Sequence, residues 1–193
     1  MNVNDKRYVK VHRLIKQGFL ELMETYPYRE ITLDRLCDHI LIGKTTFYNH
    51  YQNKDALLAE TEREAAEKLE SYYMVVPIGT EYAETYDVII ESMEYVRRDW
   101  KIYHALFFRD AEVNFTSLLS HWINTAVLAK YEKDGRSPSR TAKTALAYGT
   151  NGFVYLLKRW VLGNISEEEL VYLIRQIHTG VCVQIDRVAS QKR

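Results

Sequence analysis

The residues best suited to chemistry lie in the stretch "GKTTFYNH", residues 43–50, between two short apolar-patterned runs. Its lysine, threonine, tyrosine, asparagine and histidine side chains combine one fixed positive charge with several hydrogen-bond donors and acceptors. Side chains of these types contact phosphate oxygens and base edges in double-stranded DNA. The competing interpretation is a solvated helix face, which is the usual role of a polar helical segment.

Two short predicted helices position this stretch. Thr32 has the residue type and place of an N-cap for a helix that ends near Ile40, and a second helix begins after Gly43 and buries Phe47 and Tyr51. Two helices joined by so short a turn form a unit that places its second helix in the major groove while the first braces it across the backbone. The sequence therefore predicts a helix-turn-helix.

Charge is distributed unevenly along the chain. The 193 residues carry zero net charge, so nucleic-acid binding has to rest on a local excess of cations. Residues 1–17 hold five cations and one acid, whereas residues 60–70 hold five glutamates and two cations. A basic first helix beside the polar stretch, with Lys54 just beyond it, favours DNA over a purely structural helical adaptor.

The chain as a whole predicts an all-α protein. Three prolines and eight glycines interrupt it, and apolar residues recur at intervals of three and four between them. Further helices are expected near 5–25, 53–76 with Asn53 as cap, 81–98, 100–108, 114–133, from a Ser137-Pro138 start to 162, and after a capping box at 166–169. The expected units are an N-terminal DNA-binding domain (1–52), a connecting helix (53–76) and a larger C-terminal helical domain (77–193).

The sequence offers little for other chemistry. It has no phosphate-binding glycine loop, no H-E-x-x-H pair and no G-x-S-x-G elbow, so we expect no enzyme, no catalytic residues and no cofactor. His178 and Cys182 lie four residues apart, but two ligands are too few for a metal site. Two cysteines, no secretory signal and no apolar run of membrane-spanning length predict a cytoplasmic protein without a membrane partner.

The run "ITLDRLCDHILIGKTTFYNHYQNKDALL", residues 31–58, resembles the DNA-binding signature of the TetR family of bacterial transcription regulators. The resemblance extends over about residues 8–60. It implies a homodimer whose N-terminal three-helix domain binds a palindromic operator and whose C-terminal domain pairs with its twin and binds an inducer. The chain departs from the family at Ile40 to Gly43, where the turn lacks its usual glycine.

The resemblance also assigns candidate DNA contacts residue by residue. Thr32, Tyr48 and Lys54 would contact phosphates. The candidates for base reading or additional phosphate contact are Lys44, Thr45, Thr46, Asn49 and His50.

The C-terminal domain is rich in aromatic residues, which could line an effector cavity or form ordinary core. The candidate effector-pocket residues are Tyr86, Tyr103, His104, Phe107, Trp122 and Tyr148. The last two long helices carry more apolar surface than one pair needs, with small residues that allow close approach, so we expect a four-helix dimer bundle. Its candidate residues are Gly149, Gly152, Leu156, Leu173, Ile177 and Val181.

The functional prediction is a homodimeric transcription regulator, a repressor that binds a palindromic operator and is released by a small-molecule effector. Three alternatives stay open. The segment from residue 146 to 177 also resembles a TetR subgroup in which a protein co-regulator replaces the inducer. The protein could equally be a transcriptional activator, or a helical adaptor that binds no DNA. The operator sequence, the regulated genes and the effector do not follow from the sequence.

Overall fold

The computed structural model describes residues 6–75, 82–133, 135 and 137–178, with side chains at these positions except 70–75, 82–89, 110, 111, 177 and 178. The described residues form helices and turns and include no strand, which confirms the all-α prediction. None of the described helices is long and apolar enough to cross a membrane.

The helices in chain order are α1 (Lys6–Thr25), α2 (Leu33–His39), α3 (Lys44–Tyr48), α4 (Lys54–Val75), α5 (Tyr82–Arg98), α6 (Trp100–Phe108), α7 (Asp110–Val113), α8 (Phe115–Lys133), α9 (Arg140–Val161) and α10 (Glu167–Leu173). A 3-10 turn, Tyr28–Glu30, precedes α2, and a π-helical turn, Ile174–His178, follows α10. We call α1, the 3-10 turn, α2 and α3 the head, and α5 to α10 the body.

Three of the four predicted N-caps are confirmed by side-chain hydrogen bonds. The Arg35 amide donates to Thr32 Oγ1 at 3.1 Å, and the Ala56 amide donates to Asn53 Oδ1 at 2.8 Å. Ser166 and Glu169 form the predicted capping box at α10. The Ser137-Pro138 start of α9 is wrong: Ser139 caps this helix by accepting from the Ala142 amide, so α9 begins at Arg140.

The head packs α1 closely against the end of α2. A Cβ atom built on Gly18 would lie 2.1 Å from Ile40 Cγ2, well inside van der Waals contact. Phe19 and Phe47 are fully buried in the same core. Only a glycine at position 18 lets the two helices approach this closely, and the resulting contact fixes the angle at which α2 leads into the turn.

The turn between α2 and α3 is a Schellman motif with leucine at its left-handed position. Leu41 has φ +55° and its side chain is 91% exposed. The Leu41 amide donates to the Asp38 carbonyl at 3.4 Å, and the Ile42 amide donates to the Cys37 carbonyl at 3.0 Å. The end of α9 has the same two bonds around Gly163, φ +70°. The tight turn therefore forms without glycine, at the cost of left-handed strain on a leucine.

The body is built on α8, which packs along α4 on one side and along α9 on the other, while α6 lies against α1 and α4. Tyr103, Phe107 and Phe115 pack together in its core and are almost fully buried. The Tyr103 hydroxyl donates to the Ala65 carbonyl at 2.7 Å, so α6 is hydrogen-bonded to the middle of α4. Head and body thus share one continuous core through α4.

The side chain of Glu62 in α4 is a buried carboxyl group with an unpaired oxygen among the described residues. Glu62 is 9% exposed, and its Oε1 accepts no hydrogen bond from any described residue. Burial raises the pKa of Glu62 from 4.5 to about 7, because the charged form loses its hydration without gaining a partner. Glu62 therefore takes up a proton near neutral pH.

We predict that Leu41→Gly raises the free energy of unfolding by about 0.5–1 kcal/mol, because relief of left-handed strain exceeds the added entropy of the unfolded chain. Gly163→Ala at the matched motif of α9 should lower it by a similar amount. Urea unfolding monitored by circular dichroism measures both. A destabilised Leu41→Gly variant would show that contacts of the leucine side chain outweigh its backbone strain.

We predict that Glu62→Gln stabilises the protein increasingly as pH rises. The folded-state pKa is about 7 against an ordinary 4.5, so the folded protein holds this proton more tightly and loses stability as pH rises through that window. Glutamine has no such penalty, and we expect its advantage in unfolding temperature to grow by about 2–6 °C between about pH 5 and about pH 8. The exposed Glu67→Gln is the control. A pH-independent difference for Glu62→Gln would contradict the assignment.

Candidate nucleic-acid interface

One face of the head exposes a compact set of polar side chains. Lys44, Thr45, Tyr48 and Asn49 are exposed, and Thr46 is half-buried. Positions 44, 45, 48 and 49 fall on one side of a helix with 3.6 residues per turn. The regular part of α3 ends at Tyr48, and Asn49 is its C-cap. This face, which we call the α3 face, holds four of the eight predicted DNA contacts.

The ammonium group of Lys44 is paired with a carboxylate. Its Nζ contacts Asp34 Oδ1 in the first turn of α2, and both side chains are more than half exposed. The hydrogen bond and the charge of Asp34 raise the pKa of Lys44. The α3 face therefore includes an acid that the sequence prediction left out, although an acid at this position is visible in the sequence.

Thr32 lies at the start of α2, exposed, with its Oγ1 accepting the Arg35 amide at 3.1 Å. A hydroxyl also has a donor hydrogen, and capping leaves this hydrogen available to a phosphate oxygen. The same side chain can thus begin α2 and contact a ligand. Its predicted role and its capping role are compatible.

His50 lies beyond the regular part of α3 and packs against α1. Its ring stacks on Tyr8 at a centroid distance of 4.1 Å and lies 5.6 Å from the ring of His12. Its Nδ1 is buried and has no hydrogen bond with a described group. Burial, followed by the charge of His12, lowers the pKa of His50. His50 is thus half-buried and holds α3 on α1, unlike the exposed members of the α3 face.

A polar cluster next to His50 connects α1, the segment after α3 and α4, and it was missed in the sequence. Glu60 Oε1 lies 2.7 Å from His12 Nε2, 2.8 Å from Lys16 Nζ and 3.2 Å from the Tyr51 hydroxyl. Burial alone would raise the pKa of Glu60, but hydrogen bonds from Lys16 and His12 together with their charges lower it. We call His12, Lys16, Tyr51 and Glu60 the clamp. The only sequence signal is the four-residue interval from His12 to Lys16.

The Lys54 side chain makes a hydrogen bond and a ring contact within the protein. Its Nζ donates to the Tyr28 carbonyl at 2.8 Å and lies 4.3 Å from the centroid of the Tyr28 ring. The Tyr28 hydroxyl in turn donates to Asp55. Burial, followed by the hydrogen bond to Asp55, raises the pKa of Tyr28. Lys54 therefore fixes the 3-10 turn to the start of α4, a contact between residues 26 positions apart that the sequence did not predict.

The basic residues in the first half of α1 form an exposed surface of their own. Lys6, Lys10 and Arg13 are exposed and line a shallow groove with Val9. Tyr8, which stacks on His50, lies on roughly the opposite side of α1 at 3.6 residues per turn. The head therefore carries a second positive surface, which faces away from the contact between α1 and the end of α3.

The predicted effector-pocket residues lie in different environments. Tyr103 and Phe107 are buried in the core, His104 is half-buried and stacks on Phe108, and Trp122 is half-buried against the core. Tyr148 is 70% exposed on the outer side of α9, so it does not share a buried site with Tyr103. The side chain of Tyr86 lies outside the described residues.

The predicted dimer residues also differ in their exposure. Gly149 is buried within the chain, whereas Gly152 is exposed and no described atom lies within 4 Å of the position of its missing Cβ. Leu156 and Leu173 are half-buried. The side chain of Ile177 and all of Val181 lie outside the described part. Tyr148 and Tyr155 are 70% and 56% exposed on either side of Gly152.

Comparison with known proteins agrees with this geometry. The family model described as "Bacterial regulatory proteins, tetR family" matches residues 18–61, which cover most of α1, α2, α3 and the start of α4. The HTH-type dhaKLM operon transcriptional activator DhaS of Lactococcus lactis subsp. lactis (strain IL1403) is 30% identical over 57 residues. That match spans 30% of this chain and 30% of the length of the relative.

The fold of the whole chain also has a solved counterpart. A structure titled "Dihydroxyacetone kinase operon activator DhaS" superimposes with a TM-score of 0.57 and 19% sequence identity, covering 91% of this chain and 96% of the other. At this identity the likeness establishes the fold alone, a helix-turn-helix domain followed by a helical C-terminal region. Residues 18–61, which contain the helix-turn-helix, therefore match the family model of the TetR bacterial regulatory proteins.

Proposed function

We propose that this protein is a DNA-binding transcription regulator whose α3 face enters the major groove of an operator. The observation that carries the proposal is the exposure of Lys44, Thr45, Tyr48 and Asn49 on one side of α3, within a domain matched by the family model. A groove-facing helix needs side chains that are free on one side and packed on the other, and buried Phe47 supplies the packed side.

The contacts of the head support a division of roles among the predicted residues. Thr32, Lys44 and Tyr48 contact phosphates, and Thr45, Thr46 and Asn49 reach base edges or further phosphates. His50 and Lys54 support them from within the protein, because their described contacts are with Tyr8 and Tyr28. The exposed cations of α1 add phosphate contacts from the side of that helix that faces away from His50.

The second part of the proposal is a homodimer formed through α9 and α10. Support comes from Tyr148, Gly152 and Tyr155 on α9 and Tyr172 on α10, which leave aromatic surface exposed around an open glycine. A two-fold axis through this surface would present two heads to one duplex. The operator should then be palindromic, with half-sites about 10 base pairs apart or a multiple of that spacing.

Control of the regulator belongs to the body. The buried side-chain oxygens of Ser120 and Asn124 on α8 make no hydrogen bond with described groups, which supports a polar effector or ordered water beside this helix. Repression released by a small molecule is the first candidate. Activation is the second, because DhaS is named an operon activator in both comparisons. In vitro transcription from the bound promoter, with and without protein, distinguishes the two signs.

Selection of bound fragments from fragmented bacterial genomic DNA, followed by fluorescence anisotropy on the recovered duplex, tests the proposal. We expect a palindromic site bound with nanomolar affinity and a log-log salt slope of about −6 to −10, as for a protein that contacts several phosphates. The absence of binding to any duplex at low salt would favour the helical adaptor.

We predict opposite effects for the two members of the Lys44 and Asp34 pair. Lys44→Ala should weaken binding to all duplexes and reduce the salt slope by about one for each head. Asp34→Asn should strengthen binding to random-sequence duplex by about 3-fold to 10-fold, since it removes an acid from the phosphate-facing surface and frees Lys44. Fluorescence anisotropy titrations on random-sequence duplexes of about 30 base pairs measure both variants.

Asp38→Asn is the matched control for Asp34→Asn. Asp38 is also exposed on α2 and its replacement changes the net charge equally, but it lies in the groove between α1 and α2, away from Lys44. Equal strengthening by both variants would mean that net charge, and not the pair at the α3 face, governs binding.

We predict that Gly152→Leu prevents dimerisation while leaving the subunit folded. No described atom lies within 4 Å of the Cβ position, so a larger side chain fits the isolated chain and meets only a partner helix. Sedimentation equilibrium should give a monomer. Lys143→Leu, on the opposite side of α9 and also exposed, should remain dimeric. A dimeric Gly152→Leu protein would place the interface elsewhere.

A further inference from the structure

The corner where α6 meets α7 contacts the head at the end of α1. Arg109, the C-cap of α6, donates from Nε to the Met23 carbonyl at 2.8 Å across 86 residues of sequence. The Arg29 amide in the 3-10 turn lies 3.4 Å from Glu112 Oε2 in α7. Two side chains of the body thus hydrogen-bond backbone groups of the head.

The end of α1 needs an external cation. A helix C-terminus carries partial negative charge and unpaired carbonyls, which lysine or arginine normally compensates from the last turn. The last turn of α1 contains no basic residue, and Glu21 and Glu24 add negative charge near it. Arg109 adds positive charge and a donor to the Met23 carbonyl at this end, where His39 and Lys101 already act on the Glu21 carboxylate. Its guanidinium also lies 4.5 Å from the centroid of the Phe108 ring, which restricts its position.

With the Arg109 contact, the head, α4 and α6 are each joined to the other two by hydrogen bonds. The head is joined to the start of α4 through Lys54, Tyr28 and Asp55, and α6 is joined to the middle of α4 through the Tyr103 hydroxyl and the Ala65 carbonyl. α1 also packs directly on α6, and the clamp joins α1 to α4. The Arg109 contact adds a directional hydrogen bond at the end of α1, which fixes the orientation of α1 more narrowly than packing alone.

We propose that Arg109 is a positioning residue, which together with Glu112 fixes the orientation of the head on the body. The residue touches no DNA. The proposal rests on the proposed function only in its consequence for DNA binding. The orientation of the head can be measured without DNA.

Head orientation is measured by the electron-spin distance between labels at Lys10→Cys on α1 and Lys133→Cys on α8, in a Cys182→Ser background diluted with unlabelled protein. Both labelled positions are exposed, and Cys37 is buried. We expect Arg109→Met to broaden the distance distribution about two-fold, because loss of the donor frees the end of α1. Arg109→Lys keeps a charge and one donor and should restore part of the narrow distribution.

DNA affinity provides the second readout. Arg109→Met should weaken binding to the recovered operator by about 3-fold to 30-fold with an unchanged salt slope, because no phosphate contact is lost. A fall in the slope by about one per head would instead make Arg109 a phosphate contact and overturn the positioning role. Arg98→Met is the matched control, since Arg98 is an exposed body arginine whose described contact is the Tyr95 ring at 5.5 Å.

An unchanged distance distribution in Arg109→Met overturns the proposal whether or not the wild-type protein binds DNA. If the wild-type protein bound no DNA and Arg109→Met still broadened the distance distribution, the proposed function would be refuted and the positioning role of Arg109 would stand. Should circular dichroism show Arg109→Met unfolded, Glu112→Ala carries the same test. Glu112 is exposed, so its truncation spares the core, and we expect a smaller broadening in the same direction. A wild-type distance distribution for Glu112→Ala would count against the role of these contacts in fixing the head.

Discussion

A helix of five residues cannot hold its shape by its own hydrogen bonds, and this constraint governs the head. The α3 face is only as well defined as the packing that holds α3. Buried Phe47 anchors it from below, the Schellman turn fixes its start, and the stack of His50 on Tyr8 fixes its end. The clamp then joins α1 to the start of α4. The polar residues of the head therefore work in two groups, one exposed to a ligand and one spent on holding the first in place.

This division explains what the sequence could and could not predict. Local rules identified the caps of Thr32 and Asn53 and the buried Phe47, since each depends on neighbours within four residues. The contacts of His50 and Lys54 depend on Tyr8 and Tyr28, which are distant in sequence, so the sequence could not predict that these two residues also hold the head together. The misplaced start of α9 has a local cause, because Ser137 precedes a proline whereas Ser139 has the geometry to accept the Ala142 amide.

In the body, apolar periodicity predicted helices but not the surroundings of single aromatic residues. Tyr103 and Tyr148 look alike in the sequence, yet one is fully buried with its hydroxyl bonded to Ala65 and the other is 70% exposed. A helical period identifies a face, and the fold decides whether that face meets another helix of the chain or remains open. Gly149 and Gly152 show the same effect, because they share one side of α9 and yet the fold buries the first and leaves the second exposed.

The charge pattern of α1 relates the head to the body. α1 carries cations in its first half and acids at its end, where Arg109 of the body lies. A helix with this distribution opposes its own dipole at both ends, which costs stability unless other groups compensate. Arg109 compensates one end within the protein. At the other end the cations Lys6, Lys10 and Arg13 are exposed, and phosphates would be the complementary charge. The stability of α1 and its affinity for an anionic partner thus have a common electrostatic origin. Because Arg109 positions α1, the body also positions Lys6, Lys10 and Arg13.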